Sequence, residues 1–123
     1  MRVKRDYSDR LLDGGINPVP DLAAKMVPGW NVFDNNSDTS DLDGHGTAVA
    51  GQAAACTNNN GVGVASPAWN CKIMPIRIVN ASGVVGDDML ATGLVWAADH
   101  GARVVNASVA ALESATLDRK SVV

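Results

Sequence analysis

The sequence predicts an α/β fold built on a parallel sheet, and three neighbouring segments carry that expectation. Residues 72–79 (Lys-Ile-Met-Pro-Ile-Arg-Ile-Val) are apolar and rich in β-branched side chains, the make-up of a buried strand even with Pro75 inside it. Residues 87–100 read as a helix. Asp87 and Asp88 sit in its first turn, His100 in its last, and Gly101 follows where a helix C-terminus favours glycine. Residues 102–108 return to strand character. Strand, helix and strand in succession form a βαβ unit, and such a crossover joins parallel neighbours.

The remaining elements follow along the chain. Residues 1–10 are charged and aperiodic; Leu11 and Leu12 then close a short strand that opens into the tight turn Asp13-Gly14-Gly15. Pro18 and Pro20 keep the next stretch irregular, and residues 25–33 can extend along a sheet edge, where Pro28 is tolerated. A polar loop over 34–44 leads to a helix over 45–56, with Asp43 as the expected N-cap and small residues that allow close packing. Thr57 to Gly61 end it with turn chemistry. In the helix over 87–100, Leu90, Leu94, Ala97 and Ala98 are the expected buried stripe.

Length and composition bound the possibilities. A chain of 123 residues suits one domain, and 46% apolar with 19% charged residues is a globular composition. Ten Lys and Arg against thirteen Asp and Glu give a net charge of −3, which disfavours a nucleic-acid partner. No run is long and apolar enough to span a membrane, so no membrane partner is expected. The basic opening has no apolar stretch behind it and is not read as an export signal. Cys56 and Cys71 are expected as free thiols, with a single bridge as the alternative.

Two places could carry chemistry. Asp13 stands where a strand ends, and reactive groups in open α/β sheets gather at the carboxyl ends of strands. His45 lies between Gly44 and Gly46 at a helix start, where other groups can approach the ring closely and the positive helix end disfavours a proton on it. A carboxylate that holds an imidazole in one tautomer is the logic of triad hydrolases. Taken singly, Asp13 also fits a turn cap and His45 a helix-start residue bonded to backbone. Asp41, Asp43 and His45, spaced as Asp-x-Asp-x-His, offer a metal site as a further alternative.

Leu12-Asp13-Gly14-Gly15-Ile16, Pro20-Asp21-Leu22 and Gly44-His45-Gly46-Thr47-Ala48-Val49-Ala50-Gly51 resemble the motifs of subtilisin-like serine peptidases. The likeness continues through Gly61-Val62-Gly63-Val64-Ala65, residues 72–77 and 93–98, and Val105-Asn106-Ala107-Ser108. It covers residues 11–112 as a partial peptidase domain, with 1–10 a charged opening outside the family pattern and 113–123 a divergent tail. The resemblance implies the N-terminal half of a three-layer, parallel-sheet subtilisin-like fold. It also implies an Asp-His-Ser endopeptidase in which Asp13 orients and His45 is the general base. An extended peptide substrate would lie as an added strand along Ser108, Val109 and Ala110, with Ser82 and Gly83 on the opposing wall and Leu90 in the helix lining the pockets. The resemblance further implies a structural calcium held by side-chain oxygens of Asp21 and Asn60 and carbonyls of Asn58, Val62 and Val64, a plain turn being the alternative.

The chain also departs from the family pattern. No serine here stands in Gly-Thr-Ser-Met-Ala, the family's nucleophile segment, and the oxyanion asparagine motif is likewise missing. Gly14 stands where the family has Ser or Thr, Ala48 where it has a second histidine, and Ala110 where it has glycine. The expectation is a fragment carrying two of three catalytic positions and inactive alone, completed by the missing half in trans or surviving as a non-enzymatic peptide-binding module. Family members are usually exported.

Overall fold

A computed structural model describes residues 8–56, 61, 63–80, 82 and 85–109. The elements run β1 (Ser8–Asp13), α1 (Pro20–Ala23), β2 (Trp30–Asn31), α2 (His45–Ala54), β3 (Lys72–Arg77), α3 (Asp87–Asp99) and β4 (Val104–Ala107). The four strands form one sheet in the order β2-β3-β1-β4, every pair parallel. The parallel α/β expectation therefore holds.

Three layers follow from the alternation along β3. Ile73 joins Ile16, Leu22, Ala50, Ala54 and Ala55 in one apolar cluster, on the face covered by α1 and α2. Met74, Ile76 and Ile78 join Leu90 and Ala97 in the other, under α3. A strand covered on both faces has no polar side to show, hence the near-continuous apolar run over 73–79. Removing one such side chain, for example Ile76→Ala, costs about 2–5 kcal/mol.

Pro75 sits in this central strand without breaking it. Ile73 accepts from Val27 N–H and donates to Lys25 C=O, so its backbone groups face the edge segment. Pro75, two residues on, faces the same side. Its missing N–H falls where Pro28 and Gly29 interrupt the edge. A Cβ on Gly29 would lie 1.8 Å from the Pro75 carbonyl oxygen, so only glycine can pass there. β2 pairs through Trp30–Asn31 only, at the sheet edge, as the proline signalled.

Several boundaries differ from expectation. β1 begins at Ser8 rather than near Leu11, because Ser8 and the charged Asp9 and Arg10 also pair with β3. Pro20 opens a short helix where irregular chain was expected, since its fixed φ suits a first helical position. α2 ends at Ala54, before the expected Cys56, where Ala55 turns extended. β3 stops at Arg77, α3 at Asp99, and β4 is confined to Val104–Ala107, shifts of the size that element ends commonly show. Ala98 is exposed on α3, whereas Ala91 and Gly93 are buried with Leu90 and Ala97; Leu94 is half-buried. Gly101 ends α3 with φ of 81°, as expected of its residue type. Trp96 of α3 stacks on Trp30 of β2 with centroids 6.2 Å apart, and His100 stacks on Trp96 at 3.7 Å. Cys56 and Cys71 are free. Among the described residues, no helix is long and apolar enough to cross a membrane.

Candidate functional site

Parallel strands all end at one rim of the sheet. Chain leaves β1 toward β2 and β3 on one side, and returns under the other face to β4 on the opposite side. The crevice beside β1 is therefore where a parallel sheet offers groups to a ligand. Asp13 ends β1 at that rim, and Ser108 follows the end of β4.

His45 reaches this rim from the first position of α2. Its Nδ1 lies 2.8 Å from Asp13 Oδ1. The Asp13 side chain is 4% exposed and the His45 side chain 53%, so a buried acid holds a ring that opens to solvent. Asp13 Oδ1 also accepts the Gly14 N–H at 2.7 Å, while Oδ2 is buried without a hydrogen-bond partner among the described residues. An ionised carboxylate only accepts, so a neutral His45 carries its proton on Nδ1 and leaves the Nε2 lone pair free.

Two glycines permit the approach. A Cβ on Gly46 would lie 2.0 Å from the Gly15 carbonyl oxygen and 3.2 Å from Asp13 Oδ1. Gly15, at φ of 109°, passes so close to the 39–40 backbone that a Cβ would stand 2.4 Å from the Ser40 carbonyl oxygen. Strand end and helix start thus meet backbone to backbone.

The N-cap expected at Asp43 is instead Gly44, in the left-handed region at φ of 89°. With no side chain there, the capping task passes to Asp41. Its Oδ1 accepts Gly44 N–H at 3.1 Å; its Oδ2 accepts Thr47 N–H at 2.8 Å and the Thr47 hydroxyl at 2.5 Å. Asp43 accepts the His45 N–H at 2.9 Å. Burial works to raise the pKa of Asp41, but the hydrogen bonds from Thr47 and Gly44 outweigh it and hold the group below its ordinary value. These bonds engage the carboxylates and turn the His45 ring toward Asp13, so the alternative metal site of Asp41, Asp43 and His45 does not form. Among the described residues no group of three potential ligands gathers.

The pKa of His45 is raised above 6.5, first by the hydrogen bond to Asp13, then by that carboxylate's charge, with smaller help from Asp43 and Asp41. This corrects the expectation that the helix end would disfavour the proton: a buried carboxylate at 2.8 Å outweighs partial charges on peptide groups.

Asp13 and His45 open into a cleft of about 320 Å³ lined also by Gly14, Asp43, Val79, Val85, Ser108 and Val109. The strand-end residues Ser108 and Val109 are thus brought to the pair. Leu90 is not part of this lining; it is buried among Met74, Ile76 and Ile78, because its helical position faces the sheet. Ser82 lies in an exposed turn, its N–H on Asn80 Oδ1. Gly83 and Ala110 lie outside the described residues, as do Asn58, Asn60 and Val62. Asp21 is buried and Val64 half exposed, both lining a separate pocket with Thr47, Gly51 and Ala55. Sequence reasoning missed Gly15, Asn17 and Thr47 as site-builders, and Asp41 as the cap. A carboxylate three residues before a Gly-His helix start was the available signal for the last.

Residues 7–122 match the Subtilase family. The chain belongs to the subtilase family. It is 43% identical over 90 residues to thermitase of Thermoactinomyces vulgaris, covering 73% of this chain and 32% of thermitase. It is 42% identical over 102 residues to the thermophilic serine proteinase of Bacillus sp. (strain AK1), covering 80% of this chain and 25% of that proteinase. Among solved structures, a protease of Pseudoalteromonas arctica PAMC 21717 superposes with a TM-score of 0.82 at 29% identity, over 93% of this chain and 44% of that one. Fervidolysin of Fervidobacterium pennivorans, described as a keratinolytic enzyme related to subtilisin, gives 0.78 at 33% identity, over 94% of this chain and 19% of its own. This subtilase sequence thus spans about a third or less of the two curated relatives' length.

Proposed function

We propose that this chain supplies the orienting carboxylate and the general base of a serine-type endopeptidase, with the nucleophile and oxyanion donor on a segment outside these 123 residues. One observation carries the reading: a buried Asp13 carboxylate bonded to Nδ1 of an exposed His45, at the rim where parallel strands end. In this role Asp13 fixes the tautomer, and His45 Nε2 takes the proton of a serine hydroxyl as it attacks a peptide carbonyl. The substrate is an extended peptide laid along Ser108 and Val109 as an added strand. The segment with the serine is continuous with this chain or joins it in trans. The test adds to the 123-residue chain a subtilase segment bearing Gly-Thr-Ser-Met-Ala and follows cleavage of a peptide substrate. Cleavage that His45→Ala or Asp13→Asn abolishes supports the proposal. Cleavage indifferent to both overturns it, and peptide binding without turnover would favour the binding-module reading.

The reading includes a structural calcium near Asp21. Two features support the fit: the carboxylate is buried, and a Cβ on Gly63 would lie 1.3 Å from Asp21 Oδ2, so the turn backbone closes over it. Carboxylate and backbone carbonyl oxygens are the donors that calcium takes.

A further inference from the structure

We propose that Asp41 is a positioning residue for the Asp13–His45 pair, acting through Thr47 and Asn17. It rests on the reading of Asp13 and His45 as a working pair. The two partners arrive on separate segments, one at the end of β1 and one at the start of α2, and a single hydrogen bond between an exposed ring and a carboxylate does not fix that geometry. Asp41 supplies a second connection behind the pair. Asn17, four residues after Asp13, donates its side-chain N–H to the Asp41 carbonyl and accepts the Asp41 N–H, both at 3.0 Å. The backbone N–H of Asn17 also donates to Thr47 Oγ1 at 3.0 Å. Thr47 in turn gives its hydroxyl and its N–H to Asp41 Oδ2, two residues past His45.

Strand exit, loop and helix start are thereby closed into one ring of hydrogen bonds around a buried carboxylate. The other oxygen, Oδ1, holds Gly44 N–H, the residue whose left-handed backbone aims the His45 ring at Asp13. Gly44 N–H, Thr47 N–H and the Thr47 hydroxyl all donate to this carboxylate. An amide has a single acceptor oxygen, so Asp41→Asn must turn its NH₂ group toward either the Gly44 N–H or the two Thr47 donors, and it loses one side of the clamp with almost no change of shape.

The test needs no peptidase activity. Nuclear magnetic resonance on the 123-residue chain follows two signals: the low-field proton of the His45 Nδ1–Asp13 hydrogen bond and the titration of the His45 ring. Variant His100→Gln identifies which ring is observed. Asp41→Asn and Thr47→Val are expected to lose the low-field proton and lower the His45 pKa toward 6.5 while still melting cooperatively, and Thr47→Ser to keep both signals. A cooperative Asp41→Asn that keeps the low-field proton overturns the proposal, even if loss of a charge lowers the pKa. So does an unchanged Thr47→Val, which leaves that charge in place. Should either variant fail to fold, Asn17→Ala breaks the same ring from its other side and is read in the same way. If the unsubstituted chain lacks the low-field proton, it is the pair that fails, and this proposal with it.

Discussion

Gly46 is the position where the site's geometry is most exposed to a single methyl group. In Gly46→Ala the new carbon stands 2.0 Å from the Gly15 carbonyl oxygen, a backbone atom with no rotamer to give way. Side-chain carbons essentially never come nearer than 3.0 Å to another group, so α2 and the β1 exit must part by about 1 Å. Along the line joining Asp13 and His45, that movement takes a 2.8 Å contact beyond hydrogen-bond range. Overpacking of this kind costs about 1–3 kcal/mol. Helix propensity alone works the other way, favouring alanine by up to about 1 kcal/mol. The sign therefore separates the two effects. Urea melts should show Gly46→Ala destabilised, and the His45 titration should move down toward 6.5. Gly51→Ala is the control: only Val64 Cγ2, at 3.9 Å, lies near its new carbon, so it should be neutral or stabilising. A Gly46→Ala protein as stable as the parent, with His45 titrating unchanged, would refute the close-approach reasoning.

Four further outcomes are expected. The raised pKa of His45 means the folded chain binds that proton more tightly than the unfolded one. Its stabilisation is fully present below 6.5 and fades as pH rises through the folded pKa, so the difference in melting temperature between parent and His45→Gln should shrink with pH; a constant difference would contradict this. Gly29→Ala should lose about 1–3 kcal/mol in denaturant melts, because its carbon meets the Pro75 carbonyl in the sheet centre. Buried Lys25 donates to the carbonyls of Ala54, Ala68 and Trp69, so Lys25→Met should cost about 1–3 kcal/mol although it adds apolar volume; a neutral result would show those carbonyls solvated instead. Finally, a chelator should lower the melting temperature of the parent but not of Asp21→Asn, and coincident melts with calcium and chelator would dispose of the calcium proposal.

Much of this was legible without coordinates. The βαβ pattern over 72–108 and the turn glycines after Asp13 carry the parallel sheet and the rim position of the candidate acid, because periodicity and backbone freedom are local properties. Residue types also marked the edge strand at Pro28, whose ring restricts the backbone, and the end of α3 before Gly101, whose missing Cβ permits the left-handed turn that closes a helix. What local chemistry could not fix was which carboxylate does what. Asp41 and Asp43 are two residues apart and equally polar, yet Asp43 caps nothing beyond the His45 N–H, and Asp41 is buried and closes the helix start. Only the fold decides this, because it depends on Asn17 arriving from another segment to hold Asp41 in place. The proton preference of His45 belongs to the same class. The sequence shows a helix start, a local field that repels a proton, whereas the packed chain brings a buried anion from 32 residues away, and at 2.8 Å a full charge overrides a partial one.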